Sequence, residues 1–374
     1  MVLSRAASRL ISQPLACNVY ISAGGLPWHA PILLDLLKNT QKHCSRLTNA
    51  QKATSNNHTC VVVHAFSDMV YNRSSFHLAG SENQIADVVS TLVKEARQKL
   101  SDGNKNHETA TSENQNVNHP YVGLVDHIAV MPLTDKNEEL ENASEKSNNE
   151  QGLDFQPNTP SGRAARRIGA SISGANVLYY GTADPDGTPL AEVRRKKTKF
   201  FQSGGLESTT GKSDSSHDDT PQNVQRDIAT VGAPPQFVEN FNIRLTKRCD
   251  KNRAQSLTRF VRERDGGLSG VEALTLPYSQ GRYEVACNLL QPQIGSSEAI
   301  RKKVEEWAAS IELPEELAIG TNLEYLVETS YRVGTTADQC LNTLAFVTES
   351  DNTSSLNEHN QMVVERLKDN LHEK

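Results

Sequence analysis

The sequence predicts an α+β sandwich, with helices on one face of a mixed sheet. Strands and helices alternate at β-α-β-like spacing in each half, hairpins interrupt the alternation, and one long segment carries an unbroken apolar helical face. The hairpins argue against a doubly wound parallel sheet. At 374 residues the chain is long enough for about two domains, each with its own core. Its 39 basic and 45 acidic side chains leave a net charge of −6, so no nucleic-acid partner is expected, because that binding usually needs a strongly basic face. Apolar residues make up only 36%, which assigns part of the length to polar insertions rather than core. The six cysteines stand far apart with no CxxC pair, so zinc and thioredoxin-type chemistry are not expected and the thiols should be reduced and buried.

No run of 18 apolar residues occurs, so no membrane span is expected. The opening MVLSRAASRLIS carries Arg5 and Arg9 with no acid before Asp35, faintly like a mitochondrial presequence. Cytosol is the default expectation and mitochondria the alternative. The N-x-S/T sites at Asn57, Asn72, Asn142 and Asn352 then read as chance, since glycosylation requires a secretory route.

Residues Cys17–Ser22 form a short strand, and Pro31–His43 a helix with Leu33, Leu36 and Leu37 inward. A second strand at Thr59–Phe66 carries three consecutive valines, as suits coverage on both faces. The chain turns at Asp68–Asn72 and returns as a strand over Ser74–Ala79. Ser81 opens a helix with Gln84 in capping-box register and Ile85, Val88, Val89, Leu92, Ala96 and Leu100 on one face. Polar stretches at 101–118, 135–160 and 201–222 read as insertions. Between them lie an apolar strand from Val122, a helix near Gly162–Ile172, a strand at Asn176–Tyr180, a DPDG turn and a basic helix at Thr188–Lys199. The second half reads as strands at Ile228–Val231 and Gln236–Leu245, a helix at Asp250–Arg264 and a hairpin over Val271–Leu276 and Tyr283–Leu290. A helix with Ile300, Val304, Trp307 and Ile311 inward follows. The expected division is an extension at 1–15, a first subdomain at 16–227, a second at 228–346 and a charged tail at 347–374, disordered or loosely helical.

The stretch NHPYVGLVDHIAVMPL, Asn118–Leu133, ends a polar run and sets a histidine before an apolar segment. Pro120 pushes His119 into extended geometry, placing its imidazole at a strand entrance, where it can act as a general acid or base. A lone histidine there more often serves structure. His127 lies eight residues on, roughly 26 Å away along an extended strand, so the two are not expected to share a metal. GGLESTTGKS at Gly204–Ser213 has five residues between its glycines where a phosphate loop needs four, and DPDG lacks the twelfth-position acid of a calcium loop. The basic run from Arg194 to Lys199 reads as a solvated helix face, with attraction of an anionic ligand tail as the alternative.

Four segments, in order, resemble the formiminotransferase family of folate-dependent enzymes: CNVYIS, YNRSSFHLAG, NHPYVGLVDH with its HPxxGxxD core, and FVENFNIRL followed by GRYEVACNLL. The likeness extends over roughly residues 16 to 345 and is nearest to stand-alone plant and algal formiminotransferase-like proteins. It implies two ferredoxin-like α/β-sandwich subdomains with mixed sheets and a ligand groove between them. It also implies tetrahydrofolate as substrate and carrier, with no metal, in one-carbon metabolism and histidine degradation. The implied reaction moves a formimino group between N5 of tetrahydrofolate and the α-amine of glutamate or another acceptor, in a protein that forms a homodimer in some relatives. On this resemblance His119 falls on the family's catalytic histidine, while Arg73, Asp126, Tyr180, Gly181, Asn242 and Asn288 fall on folate-proximal positions. Asp126 is expected near the far end of the His119 strand. Tyr121 stands where the best-studied members carry arginine, and ISAGGL replaces their NFSEGR, which leaves two alternatives open: folate binding without formimino transfer, or action on 5-formyltetrahydrofolate.

Overall fold

The structure, a computed structural model, describes residues 13–52, 59–106, 119–133, 158–198, 200–201, 228–312, 321–349 and 353–372. The GGLESTTGKS segment, the first twelve residues, the sites at Asn57, Asn142 and Asn352 and most of the three polar insertions lie outside them. Two compact units result: residues 1–235 with 337–374, and residues 236–336.

The first unit runs β1 (Leu15–Ile21), α1 (His29–Lys52), β2 (Cys60–Asp68), β3 (Arg73–Gly80), α2 (Glu82–Asn106) and β4 (Val125–Pro132). The sheet order β2-β3-β1-β4, with antiparallel neighbours, is the ferredoxin-like arrangement. Three further elements, α3 (Pro160–Ser171), β5 (Asn176–Gly181) and α4 (Leu190–Lys197), lead to β6 (Ile228–Ala233), and β6 inserts between β4 and β5, parallel to both. A mixed six-stranded sheet results. Alternate residues Leu15, Cys17, Val19 and Ile21 of β1 join Leu33, Leu36 and Leu37 of α1 and Ile85, Val89 and Leu92 of α2 in one buried core. Thr159 caps α3, its hydroxyl accepting from the Gly162 amide, with Pro160 at the first helical position.

The second unit comprises β7 (Glu239–Leu245), α5 (Lys251–Val261), β8 (Val271–Pro277), β9 (Tyr283–Leu289), α6 (Ser297–Ala309), α7 (Asn322–Leu326) and β10 (Val327–Val333). Its order β10-β7-β9-β8 repeats the ferredoxin-like arrangement. Trp307, Phe241, Leu257 and Val304 lie in its core. Among the described strands this sheet is antiparallel throughout, not mixed, because it lacks the extra parallel strands that extend the first.

Several expectations are corrected. The boundary set after residue 227 falls after Pro235, because β6 (IATVGA), buried along nearly its whole length, is an interior strand of the first sheet. Helix α2 continues past Leu100 to Asn106. The apolar strand starts at Val125 rather than Val122, the chain bending through residues 119–124 first. The tail is ordered: α8 (Ala337–Glu349) and α9 (Thr353–His372) return to the first unit, where Val363, Val364, Leu367 and Leu371 of α9 enter its core. Strand β2 lies at the sheet's edge, and His359 of α9 donates from Nε2 to the Val62 carbonyl at 2.9 Å, shielding that edge. No helix among the described residues is long and apolar enough to cross a membrane.

Candidate active site

Strand register decides which side chains meet on the sheet face opposite the Leu15/Cys17/Val19 core. Tyr20 of β1 pairs with Ser75 of β3 and His127 of β4, and Asn18 pairs with His77 and Ala129. The rings of His64, His77, Tyr20, His127 and Tyr180 consequently form a cross-strand series. His64 meets His77 edge-on at 5.6 Å, His77 meets Tyr20 at 6.1 Å, and Tyr20 stacks on His127 at 5.4 Å and 8°. The His127 Nε2 and the Tyr180 hydroxyl then hydrogen-bond at 2.8 Å. Tyr180 reaches across β6 because Gly232 lies beneath it, where a Cβ would collide with the phenol ring. Burial pushes His64 down to about 4 and drives His77 and His127 well below the ordinary histidine range, with His64 and Arg194 respectively adding to the effect. The face is therefore uncharged at neutral pH along its imidazoles.

Charge enters beside Tyr20 and His127. Tyr20 faces His127 but Ile21 faces Val125, so Asp126 is the extra residue of a β-bulge, which re-aims its side chain. The Thr230 hydroxyl donates to the Asp126 carbonyl at 2.7 Å and holds the bulge. The carboxylate, fully buried, accepts from the Val122 amide at 2.8 Å and pairs with Arg73 Nη2 at 2.7 Å and Arg194 Nη2 at 3.5 Å. Burial raises its proton affinity, but Arg73, Arg194 and the Val122 amide outweigh that and hold the carboxyl at about 2. Arg73 reaches this point from the start of β3, after a turn in which Asn72 takes a left-handed φ of 48° and accepts from the Gly25 amide. Its guanidinium lies 4.9 Å above the Tyr20 ring, as that of Arg194 lies 4.1 Å from Phe200.

His119 completes the cluster. Its Nδ1 is 3.1 Å from Arg73 Nη1 and 2.6 Å from the Pro120 carbonyl, and its ring contacts Tyr71 and Phe200 edge-on. Among the described residues none hydrogen-bonds its Nε2, and the side chain is half-buried. Burial and the neighbouring arginines push the imidazole down to about 3, against the partial offset of Asp126, so His119 is neutral at pH 7 rather than titrating there. Far from standing a strand's length away, Asp126 and His119 share one arginine, because residues 119–124 bend before the bulge.

The other expected residues divide. Tyr180 is buried, its hydroxyl engaged by His127, and Gly181 has a φ of 58° with a Cβ position blocked by the Ala233 carbonyl, so this glycine is required by the backbone. Asn242 and Asn288 lie in the second unit. There Asn242 donates to the buried Glu284 at 3.1 Å and Asn288 accepts from Asn240 at 2.7 Å. Tyr20, His64, His77 and Arg194 were not singled out as site residues. Arg194 is buried while Arg195, Lys196 and Lys197 of the same helix are exposed, so the solvated-face reading holds for those three and not for Arg194.

Residues 40–233, which contain this cluster except for Tyr20 of β1, match the model of the formiminotransferase domain, N-terminal subdomain. The chain belongs to the formiminotransferase family. A formiminotransferase cyclodeaminase-like protein of Arabidopsis thaliana is 29% identical over 254 residues, covering 63% of this chain and 74% of the relative. A solved structure, that of pitrilysin, shares 13% identity at a TM-score of 0.18 over 95% of this chain and 41% of its own, a likeness too slight to bear on fold or function. Formiminotransferase membership carries a general transferase role in folate-linked formimino chemistry. Among the described residues no three His, Cys, Asp or Glu side chains are grouped to hold a metal ion.

Proposed function

We propose that this formiminotransferase-family protein moves a formimino group between N5 of tetrahydrofolate and the α-amine of glutamate, with His119 exchanging the proton. The supporting observation is the environment of His119, whose Nδ1 lies within hydrogen-bond distance of Arg73 and of the Pro120 carbonyl while no described residue takes Nε2. Attack of the amine on the formimino carbon gives a tetrahedral intermediate, and its collapse needs one nitrogen to lose a proton and the other to gain one. Nε2 is the ring atom placed for that exchange, which is typically worth about 10²- to 10⁴-fold. Arg73 and Arg194 against Asp126 leave one net positive charge beside the imidazole, which suits a substrate bearing carboxylates and stands in for the cation absent at Tyr121. Tyr180 and Gly181 are the further folate contacts this reading assigns in the first unit.

A second reading, folate binding without transfer, is favoured by the depressed basicity of His119 and by the neutral, exposed Tyr121. The test is formation of N-formiminoglutamate from 5-formiminotetrahydrofolate and glutamate by the purified protein. His119→Ala should lose most of the rate and keep folate affinity. Wild-type protein with no rate above buffer but with folate affinity selects the second reading; neither rate nor affinity removes both.

A further inference from the structure

His119 Nδ1 is contacted by two groups with opposite requirements. Arg73 can only donate, so its Nη1 at 3.1 Å is satisfied only when Nδ1 is bare. The Pro120 carbonyl can only accept, so its contact at 2.6 Å is satisfied only when Nδ1 carries hydrogen. One nitrogen cannot serve both at once. The hydrogen bond from a cation is roughly twice as strong as a neutral one, so Arg73 prevails while it stays in place. It is kept there by Asp126, which takes its Nη2 at 2.7 Å, is itself fully buried, and is fixed by the Val122 amide and the bulge.

We propose that Arg73, gripped by Asp126, is a switch on the tautomer of His119: it holds the hydrogen on Nε2 while the site is empty, and an anionic substrate group that takes Nη1 moves that hydrogen to Nδ1. The exchange conserves protons and charge, one proton leaving Nε2 to water and one arriving at Nδ1, where it is donated to the Pro120 carbonyl. Nε2 is then a bare acceptor, the state a general base requires. Among the described residues, Arg73 from β3, Asp126 from β4, Arg194 from α4, the Tyr71 ring and the Phe200 ring face His119. Arg73 touches both the imidazole and the buried carboxylate. Its withdrawal also removes the larger of the two cationic effects that, after burial, depress His119. Arg73 and Asp126 are on this account positioning residues for His119, a role that rests on the transferase reading only for the identity of the anion.

The test is ring-15N NMR of histidine-labelled protein at pH 7, which distinguishes the tautomers without turnover. The empty wild-type protein should show His119 with hydrogen on Nε2. Arg73→Met, which leaves Asp126 paired with Arg194, should show it on Nδ1, and so should Arg73→Lys, whose shorter side chain and single nitrogen do not reproduce the fork by which the guanidinium reaches both groups. Addition of 5-formyltetrahydrofolate with glutamate to wild type should give the same change. Nε2–H in both variants, or Nδ1–H in the empty wild type, overturns the switch. A retained tautomer on adding that ligand pair overturns the substrate-operated step. For kinetics, Arg73→Lys should lower kcat at least tenfold, whereas a residue that only binds the folate would raise KM and leave kcat unchanged. Loss of transfer in wild type with the NMR changes intact would count against the transferase reading and not against the switch.

Discussion

Replacing Asp126 by asparagine tests the electrostatic account of the site at its centre. The carboxylate is fully buried against Arg73 and Arg194, whose side chains are 15% and 10% exposed, so neither arginine can turn to water for compensation. The fall of its pKa from 3.8 to about 2 on folding converts to about 2 kcal/mol of stability at neutral pH. Breaking a buried pair by removing one partner costs about 3–5 kcal/mol in general, and asparagine keeps an oxygen for the Val122 amide, so a loss of about 2–4 kcal/mol is expected. The sign with pH follows from the depressed value. The contribution is complete above the unfolded carboxyl's 3.8 and disappears as pH falls through about 2, where the carboxyl protonates in both states. Urea unfolding of the full chain, read by Trp28 fluorescence in a Trp307→Phe background, measures it. A loss under about 0.5 kcal/mol at pH 7, or a wild-type advantage that does not shrink between pH 4 and pH 2, would refute the reasoning.

Other outcomes follow from the same structure. His29 is buried, its Nδ1 accepting from the Gly24 and Leu26 amides, and burial lowers it to about 4. Stability should be full above pH 6.5 and fall as pH drops toward 4, by up to about 3 kcal/mol from this group, and His29→Gln should flatten that part of the pH–stability curve. Gly181→Ala combines a left-handed φ with a blocked Cβ and should cost more than about 2 kcal/mol, while Gly174→Ala, equally left-handed but facing open space, should cost only about 1–2 kcal/mol in thermal unfolding. Phe replacing Tyr180 removes the hydroxyl on His127 and should cost about 1 kcal/mol, with little change in His119 chemistry.

Much of the architecture is legible in residue order. The apolar periods of α1 and α2, the hairpin between β2 and β3, and the βαββα run from Glu239 to Ala309 carry local signals, whereas the ferredoxin-like order is implied only by the family resemblance and β10 has no place in the sequence reading. The misplaced elements depend on partners. Strand β6 has ordinary strand composition, and only its pairing with β4 and β5 assigns it to the first sheet. Helix α9 looks charged and loose because, among the described residues, only four of its twenty are buried, and its attachment depends on the edge of β2. At the site, His119 and Arg73 are marked by motifs, but a period-two count cannot show that Asp126 is the extra residue of a bulge. Nor does a run of five basic residues within six positions show which one is buried, although Arg194 follows Val193, the fully buried apolar residue of its helix. The ring series, whose members run from Tyr20 to Tyr180 in the chain, is spread over 161 positions and exists only through strand register.

The most direct measurement is a crystal structure of the full chain soaked with 5-formyltetrahydrofolate. The account predicts the folate's N5 side within hydrogen-bond reach of His119 Nε2, about 2.6–3.2 Å directly or through one water, with Arg73 shifted from Nδ1 toward a carboxylate. Folate bound elsewhere, with Nε2 facing solvent and Arg73 unmoved, would contradict it.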